Sequence, residues 1–414
     1  MNIAYYSHYF TPEIGAPSAR IYDFAQQWLA LDHSVQVVTC FPNHPTGTLY
    51  PGYKRGFYMY EELDGIGVHR HWTYIAPNSG MVKKTLGHLS YFPASLFLSN
   101  RRLCTPDVVI GTSPTLFAAM AAAAAGWRYR RPFIMEVRDL WPAIFVELGI
   151  LRNRHLIQWL ERWELGLYRQ ATRVVTVTEA FRRNLINRGV PAEKVWTVPN
   201  GADVEFWQPI QPPPQLAQRL GLEGKFVVLY IGAHGISHAL GRILESARRL
   251  REHSDIRFLF VGEGAEKVSL IQQAQQAQLE NVQFLDPVAK PAVKEFYALA
   301  DVCLVPLRNI PLFETFLPSK MFEIMAMARP IVGSVRGEPA SILQRSGGAV
   351  VVGPEDSEAI AHALLHLYTH QDQARALGRR GRQFVVEQYS RRSLAATYMD
   401  ALREAVAAYG DSSR

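Results

Sequence analysis

The segment Phe313-Glu314-Thr315-Phe316-Leu317-Pro318-Ser319-Lys320-Met321-Phe322-Glu323 brings two hydroxyls, an amine and two carboxylates close together in the chain. It reads as a loop entering a helix, with Ser319 at the cap, Lys320 in the first turn and Glu323 three residues on, on the same face. A cation in a helix's first turn opposes the helix dipole, so Lys320 calls for a compensating anion. A diphosphate would supply it, and Glu323 could accept hydrogen bonds from two ribose hydroxyls. The competing reading makes Ser319 and Glu323 a capping pair and Lys320 a solvated charge.

In open parallel sheets, ligands bind beyond the carboxyl ends of the strands, so the loops there are where further chemistry is sought. The first is His8 to Ala19, in which Gly15 permits close backbone approach and Ser18 could cap the following helix. It fits phosphate binding or a simple turn. Gly232-Ala233-His234-Gly235-Ile236-Ser237 and Gly262-Glu263-Gly264 are similar. None extends to G-x-G-x-x-G, which weighs against a dinucleotide site.

Short apolar runs alternating with longer segments of helical period are the pattern of βα units around parallel sheets. In the first half the strands are expected at Ile3 to Tyr6, Val35 to Thr39, Val108 to Gly111, Phe133 to Glu136 and Val174 to Val177, with helices at Ala19 to Leu31 and Leu156 to Gln170. A second series begins at strand Phe226 to Ile231. It continues through helix Gly241 to Glu252, strand Ile256 to Val261, helix Glu266 to Leu279, strand Val282 to Leu285, helix Ala292 to Ala300, strand Val302 to Pro306, helix Ser319 to Ala328 and strand Pro330 to Val332. Between the two lies Gln208-Pro209-Ile210-Gln211-Pro212-Pro213-Pro214, which sustains neither helix nor central strand. The expected domains are therefore 1–205 with 390–414, and 206–389, with a last helix at Arg391 to Ala408.

At 414 residues the chain exceeds what one hydrophobic core organises, which agrees with two domains. Residues 1–200 hold 21 Lys and Arg against 14 Asp and Glu, while the rest hold 23 of each. The basic surplus therefore lies wholly in the first half and suggests an acidic partner such as anionic lipid, a phosphorylated acceptor or nucleic acid. Cys40, Cys104 and Cys303 stand far apart, against a disulfide framework or a zinc site. The start Met1-Asn2-Ile3-Ala4-Tyr5-Tyr6 has no export-signal pattern, and the alanine-rich run Phe117 to Trp127 is too short to span a bilayer and reads as a buried helix. A cytoplasmic setting is expected. The stretch from Met81-Val82-Lys83-Lys84 through Tyr91-Phe92-Pro93 to Arg101-Arg102 mixes basic and bulky apolar residues, as an interfacial segment does. A core helix flanked by charges fits as well, and Pro93 is expected to interrupt any single helix.

Five motifs occur together and in order: Pro12-Glu13-Ile14-Gly15, Arg138-Asp139-Leu140-Trp141-Pro142, Pro199-Asn200-Gly201-Ala202-Asp203, Gly232-Ala233-His234-Gly235 and Pro318-Ser319-Lys320-Met321-Phe322-Glu323. In this the chain resembles family 4 glycosyltransferases, closest to the bacterial branch that builds O-antigen and capsule and includes N-acetyl-fucosaminyl transferases. The resemblance implies an α/β chain of the GT-B fold, with two Rossmann-like domains and parallel sheets facing a central cleft, the last helix returning to the first domain. It also implies a nucleotide-sugar donor, no metal or other cofactor, and retention of anomeric configuration. By position Glu323 corresponds to the family's ribose-binding glutamate, Gly15 to the glycine approaching the diphosphate, and Val288 to the place where the base meets backbone. His234, Gly235, Glu263, Glu314 and Ser319 complete the expected donor set.

Three departures from the family pattern stand out. The first of its paired glutamates would fall at Thr315, and this chain has Glu314 one position earlier. Ala233 and Ala239 stand near the family's usual Arg and Lys, leaving Lys320 to supply positive charge. Arg138, beside Asp139, occupies the place of a histidine next to the donor sugar; the pair is either a charged wall of the donor cleft or a purely structural buried ion pair. The reaction expected is transfer from a UDP-sugar, either a 6-deoxy N-acetyl-amino sugar or N-acetylglucosamine or a related hexose, to a lipid-linked saccharide. It would take place at the anionic inner face of the cytoplasmic membrane, held there by Lys83, Lys84, Arg101 and Arg102. Lys320, Arg138 and Asp139 are the expected catalytic groups. The rivals are a UDP-N-acetylglucosamine epimerase and a non-catalytic basic protein binding lipid or nucleic acid, although RNA-binding signatures are absent.

Overall fold

Runs of Val, Ile, Phe and Tyr bounded by turn residues pair as strands buried on both faces, the condition under which parallel sheets are stable. The computed structural model describes residues 1–13, 15–44, 46–75, 81–97, 103–143, 146 and 151–412. It divides into two units, Met1–Pro199 with Arg391–Arg414, and Asn200–Ser390.

In the first unit the order is β1 (Asn2–Tyr6), α1 (Ala16–Leu29), β2 (Ser34–Cys40), β3 (Tyr58–Leu63), β4 (Ile66–His71), α2 (Met81–Phe97), β5 (Val108–Thr112), α3 (Leu116–Tyr129), β6 (Phe133–Val137), α4 (Arg154–Gln170), β7 (Arg173–Thr176), α5 (Glu179–Asn187) and β8 (Val195–Thr197). Eight strands form one sheet in the order β3-β4-β2-β1-β5-β6-β7-β8. Only the β3/β4 pairing is antiparallel. Sequence periodicity does not suggest this hairpin, although Asp64-Gly65, both at positive φ, is the dipeptide such a turn demands. Alternation along β1 sends Ile3 and Tyr5 to one core and Ala4 and Tyr6 to the other. The alanine-rich α3 is buried as expected from Leu116 to Gly126, whereas Trp127 at its end is exposed. Its small side chains let it lie against β5, where a Cβ on Gly111 would come 2.6 Å from that of Ala122.

The second unit runs α6 (Pro214–Leu220), β9 (Phe226–Ile231), α7 (Leu240–Arg249), β10 (Ile256–Val261), α8 (Lys267–Gln276), β11 (Val282–Leu285), α9 (Lys290–Leu299), β12 (Val302–Pro306), α10 (Lys320–Ala326), β13 (Ile331–Ser334), α11 (Gly337–Ser346), β14 (Ala349–Val352), α12 (Ser357–Thr369) and α13 (Gln371–Gln388). Its six-stranded sheet has the order β11-β10-β9-β12-β13-β14, parallel throughout. The proline-rich run belongs to this unit, and Trp207 just before it is buried in the core. A final helix, α14 (Arg391–Ser412), packs on the first unit through Leu394, Tyr398, Met399 and Leu402. Both sheets reverse strand order beside their first strand, the topological switch at which α/β folds bind ligands.

Candidate active site

In the second unit the loops after β9 and β10 interlock through their backbones. His234 N–H donates to Glu263 O at 2.8 Å, and Glu266 N–H to His234 O at 2.9 Å. The approach is close enough to require glycine: a Cβ on Gly264 would lie 2.4 Å from the His234 carbonyl oxygen, and one on Gly262 closer still to that of Gly232. Gly232 and Gly262 also sit at φ +140° and +146°. These glycines therefore serve the chain's own packing. Gly235 does not: its backbone is ordinary, and a Cβ there would meet nothing within 4 Å, so the space above it is open to a ligand.

Lys320, the first residue of α10, extends beneath this loop. Its ammonium lies 4.0 Å from the centroid of the Tyr230 ring and would contact a Cβ on Gly232. The stem is partly exposed, but Nζ itself is buried and has no hydrogen-bond partner among the described residues. Burial, opposed by the nearby Glu323, lowers its pKa to about 7. His238 Nδ1 lies 3.3 Å from Pro306 O, and the imidazole is held near a pKa of about 4, first by burial and then by Lys320. A cation deprived of water and of any hydrogen-bond partner among the described residues, with only the nearby Glu323 charge to oppose its burial, is an incomplete arrangement, and a further anion completes it.

Glu323 is half-buried and accepts from Tyr297 OH at 3.4 Å. Ser319 is exposed and makes no side-chain cap. Its backbone is already helical, whereas a capping hydroxyl needs an extended residue to swing back onto the first turn. The capping-pair alternative is therefore not what the structure contains. Glu314 lies exposed on a short turn, Pro311–Thr315, its backbone packed against Gly337. Thr315 donates to Leu312 O at 2.7 Å and so serves its own turn.

Glu263 is exposed on the loop after β10. It accepts from the Gly264 N–H at 3.1 Å and then from Lys267 Nζ at 3.3 Å, which together hold its carboxyl below the ordinary range, while Lys267 also reaches Asp286 at 2.7 Å. Val288 is half-buried after β11, against the core. The His234 ring is wholly buried among Tyr230, Phe260 and Phe284, with neither nitrogen hydrogen-bonded to a described residue. Burial, then Lys267, lowers its pKa to about 4, so it is neutral and faces protein. Tyr230, His238 and Tyr297 carry no spacing signal; they join the site only because strand ends and α9 bring them there.

In the first unit, Arg138 and Asp139 follow β6. Their backbone N–H groups donate to Ser113 Oγ at 2.8 and 3.2 Å. They form no ion pair with each other within 4 Å, so the structural Arg–Asp bridge is not formed; Arg138 Nε and Nη1 are buried with no hydrogen-bond partner among the described residues. Burial raises the Asp139 carboxyl to about 6, with Arg138 opposing. The structural ion pair here is a different one, Arg20 with Glu136 at 3.0 Å, with Tyr5 OH and Thr112 Oγ1 also donating to Glu136.

Gly15 is extended at φ 174° and exposed, and a Cβ there would meet only Pro17 Cδ, at 3.6 Å, so nothing in its own fold requires glycine. Ser18 lies buried inside α1 and does not cap it. Glu13 instead organises this region by accepting from the N–H groups of Asn43 (2.7 Å), His44 (2.9 Å) and Phe10 (3.3 Å). Beside it is a cluster that sequence reasoning missed. His8 packs edge-on against His88 at 4.5 Å, and Tyr9 OH lies 3.1 Å from His88 Nε2.

Helix α2 runs unbroken through Pro93, contrary to expectation. Pro93 and Leu89, whose carbonyl loses its partner, both lie on the exposed side, where water replaces the bond. Lys83 is exposed on this helix. The side chain of Lys84, and Arg101 and Arg102 entirely, lie outside the described residues. No described helix is long and apolar enough to cross a membrane.

Residues 15–201 match the model of a glycosyl transferase 4-like domain, and residues 225–370 match that of glycosyl transferases group 1. The chain is 27% identical over 379 residues to the putative colanic acid biosynthesis glycosyl transferase WcaI of Escherichia coli, covering 88% of this chain and 91% of that one. Among solved structures, sucrose-phosphate synthase from Thermosynechococcus elongatus superposes with a TM-score of 0.74 at 17% identity, covering 98% and 99% of the two chains. Anabaena HepE in complex with UDP-glucose does so with a TM-score of 0.71 at 15% identity, covering 98% and 100%. The likeness to both is one of fold. With one domain model on each of its two Rossmann-like units, the chain is a glycosyltransferase of the family 4 type, with the GT-B fold.

Proposed function

We propose that this glycosyltransferase moves a sugar from a UDP-sugar to a hydroxyl of a lipid-linked saccharide, with retention of configuration, in the synthesis of a bacterial surface polysaccharide. The observation that carries the reading is the buried Lys320 ammonium, without a hydrogen-bond partner among the described residues, three residues before Glu323. The diphosphate is the anion that Lys320 lacks, and the ribose hydroxyls are donors matched to the Glu323 carboxylate. Open space over Gly235 gives room for the phosphates.

Leaving-group stabilisation dominates in this scheme. As the bond from the sugar's anomeric carbon to the diphosphate breaks, charge grows on the departing oxygen and Lys320 meets it. The acceptor oxygen bonds to the same face of that carbon, and its proton passes to a phosphate oxygen of the leaving group. Neither a metal nor a protein nucleophile is assigned. Arg138, with two guanidinium nitrogens lacking hydrogen-bond partners among the described residues, is assigned to the donor sugar, and Asp139 to holding charge beside it. Gly15, Glu314 and Ser319 are assigned to the donor through backbone or exposed polar atoms. The name of the WcaI relative supports the polysaccharide setting, and the UDP-glucose of the HepE complex supports the uridine base.

For the sugar, Arg138 stands where the family has a histidine that meets the 6-hydroxyl of a hexose. A 6-deoxy donor such as UDP-N-acetyl-fucosamine loses nothing by that exchange, and we assign it. Thermal shift with UDP, GDP and dTDP tests the base, because a ligand of the folded state raises its melting temperature. Competition between UDP-N-acetylglucosamine and its 6-deoxy counterparts tests the sugar. A higher kcat/KM for UDP-N-acetylglucosamine would overturn the assignment, and a shift with GDP alone would overturn the base.

A further inference from the structure

Helix α4 carries an outward face that the transfer reaction does not use. Its N-terminus is capped by Asn153 Oδ1, which accepts from His155 N–H at 3.0 Å and Leu156 N–H at 3.1 Å. One side is fixed to the first unit by buried Glu164, Leu167 and Tyr168, with Glu164 taking Arg188 and the Tyr168 hydroxyl at 2.5 Å each. On the exposed flank beside it, Leu156, Trp159 and Trp163 follow at three- and four-residue spacing and so share a stripe. They are 42%, 47% and 42% exposed, and the two indoles lie 4.4 Å apart between ring centroids.

The fully exposed charged side chains of this helix have one sign. Arg154, Arg162 and Arg169 of this helix are exposed, as is Arg152 just before it, whereas Glu164 is buried and Glu161 half-buried. Two neighbouring exposed indoles on a helix whose fully exposed charges are guanidinium groups are the composition of an element lying in the headgroup region of an anionic bilayer, where the ring is apolar enough to enter and its N–H stays wet. A symmetric pairing of two copies through this face would set the arginines against one another. A convex helix face also cannot enclose a saccharide.

We propose that the Leu156–Trp159–Trp163 face of α4 docks the enzyme on an anionic lipid surface. This rests on the reading that the acceptor is lipid-linked, and it names a contact separate from the basic stretch at Lys83. The test is co-sedimentation of the full chain with vesicles of phosphatidylglycerol and phosphatidylcholine, and with phosphatidylcholine alone. Brominated phosphatidylcholine serves as a quencher of exposed tryptophan.

The wild type is expected to bind the anionic vesicles with quenching, and less so as salt rises. Trp159→Ala with Trp163→Ala should weaken that binding about tenfold or more at an unchanged melting temperature. Arg154→Gln with Arg162→Gln, which spares the indoles, should weaken it and flatten the salt dependence. If the tryptophan variant binds as the wild type while glutamine at Lys83, Lys84, Arg101 and Arg102 abolishes binding, the α4 contact is wrong and membrane attachment stands. If the wild type binds no vesicle, both fall. Concentration-dependent dimerisation that the tryptophan variant loses would assign the face to self-association instead.

Discussion

Lys320 makes opposite predictions for stability and for function, and both follow from its surroundings. In the ligand-free protein its ammonium is buried without a hydrogen bond to any described residue, and its pKa falls from an ordinary 10.5 to about 7. Between pH 7 and 10.5 the unfolded chain therefore binds more protons at this group than the native one, so its contribution to stability improves as pH rises through 7. Lys320→Met removes the desolvated cation and should stabilise the ligand-free protein at pH 7 by an amount on the order of a few kcal/mol. Bound diphosphate reverses the balance by favouring the ammonium. If the ordinary pKa returns in the complex, binding UDP at pH 8 should take up about 0.9 proton, and affinity should fall about tenfold per pH unit between 7 and 10. Calorimetry at pH 8 in buffers of different ionisation enthalpy measures the uptake directly. Lys320→Met should abolish it and lower turnover at saturating donor roughly ten- to a hundredfold, since a charged hydrogen bond is worth about 1.5–3 kcal/mol. Proton uptake near zero in the wild type, or equal in wild type and variant, would refute the reasoning.

Three further outcomes test neighbouring parts of the site. Glu323→Ala should weaken UDP affinity with little further effect on turnover at saturation, because the ribose hydroxyls it serves do not react; unchanged affinity by calorimetry would remove it from the nucleotide site. Gly264→Ala should destabilise the protein by about 1–3 kcal/mol, since the new methyl would stand 2.4 Å from the His234 carbonyl and the interlocked loops must part. A melting temperature equal to that of the wild type would show that the loops yield freely. Asp139, raised to about 6 by burial, is destabilising when ionised, so Asp139→Asn should raise the melting temperature more at pH 8 than at pH 5; a pH-independent difference would contradict its depth of burial.

How much of this could be read in the sequence depended on whether a feature is local in the chain. Every strand expected from its apolar run appears, because a parallel strand covered on both faces must be apolar along its whole length. The β3–β4 hairpin escaped notice because an edge pair such as Tyr58–Leu63 mixes Tyr, Met and Glu and presents no clean alternation. Pro93 misled for a related reason: a proline's damage to a helix depends on whether the freed carbonyl meets water, which burial decides and the residue type does not.

The site divides along the same line. Lys320 and Glu323 were visible because helical spacing ties them together, and their environment then gave them meaning. What surrounds them was not visible: Tyr230 under the ammonium, Tyr297 on the carboxylate, and His238 beside them come from three separate elements. The glycines show the limit most clearly, since Gly15 and Gly264 look alike as letters. Gly264 is demanded by a carbonyl within the same unit, whereas Gly15 has ordinary backbone and room for a side chain, so any requirement for glycine there must come from something outside its own loop. A Gly15→Ala variant separates the two: stability unchanged with UDP affinity reduced would assign Gly15 to the donor, and both unchanged would leave it a turn residue.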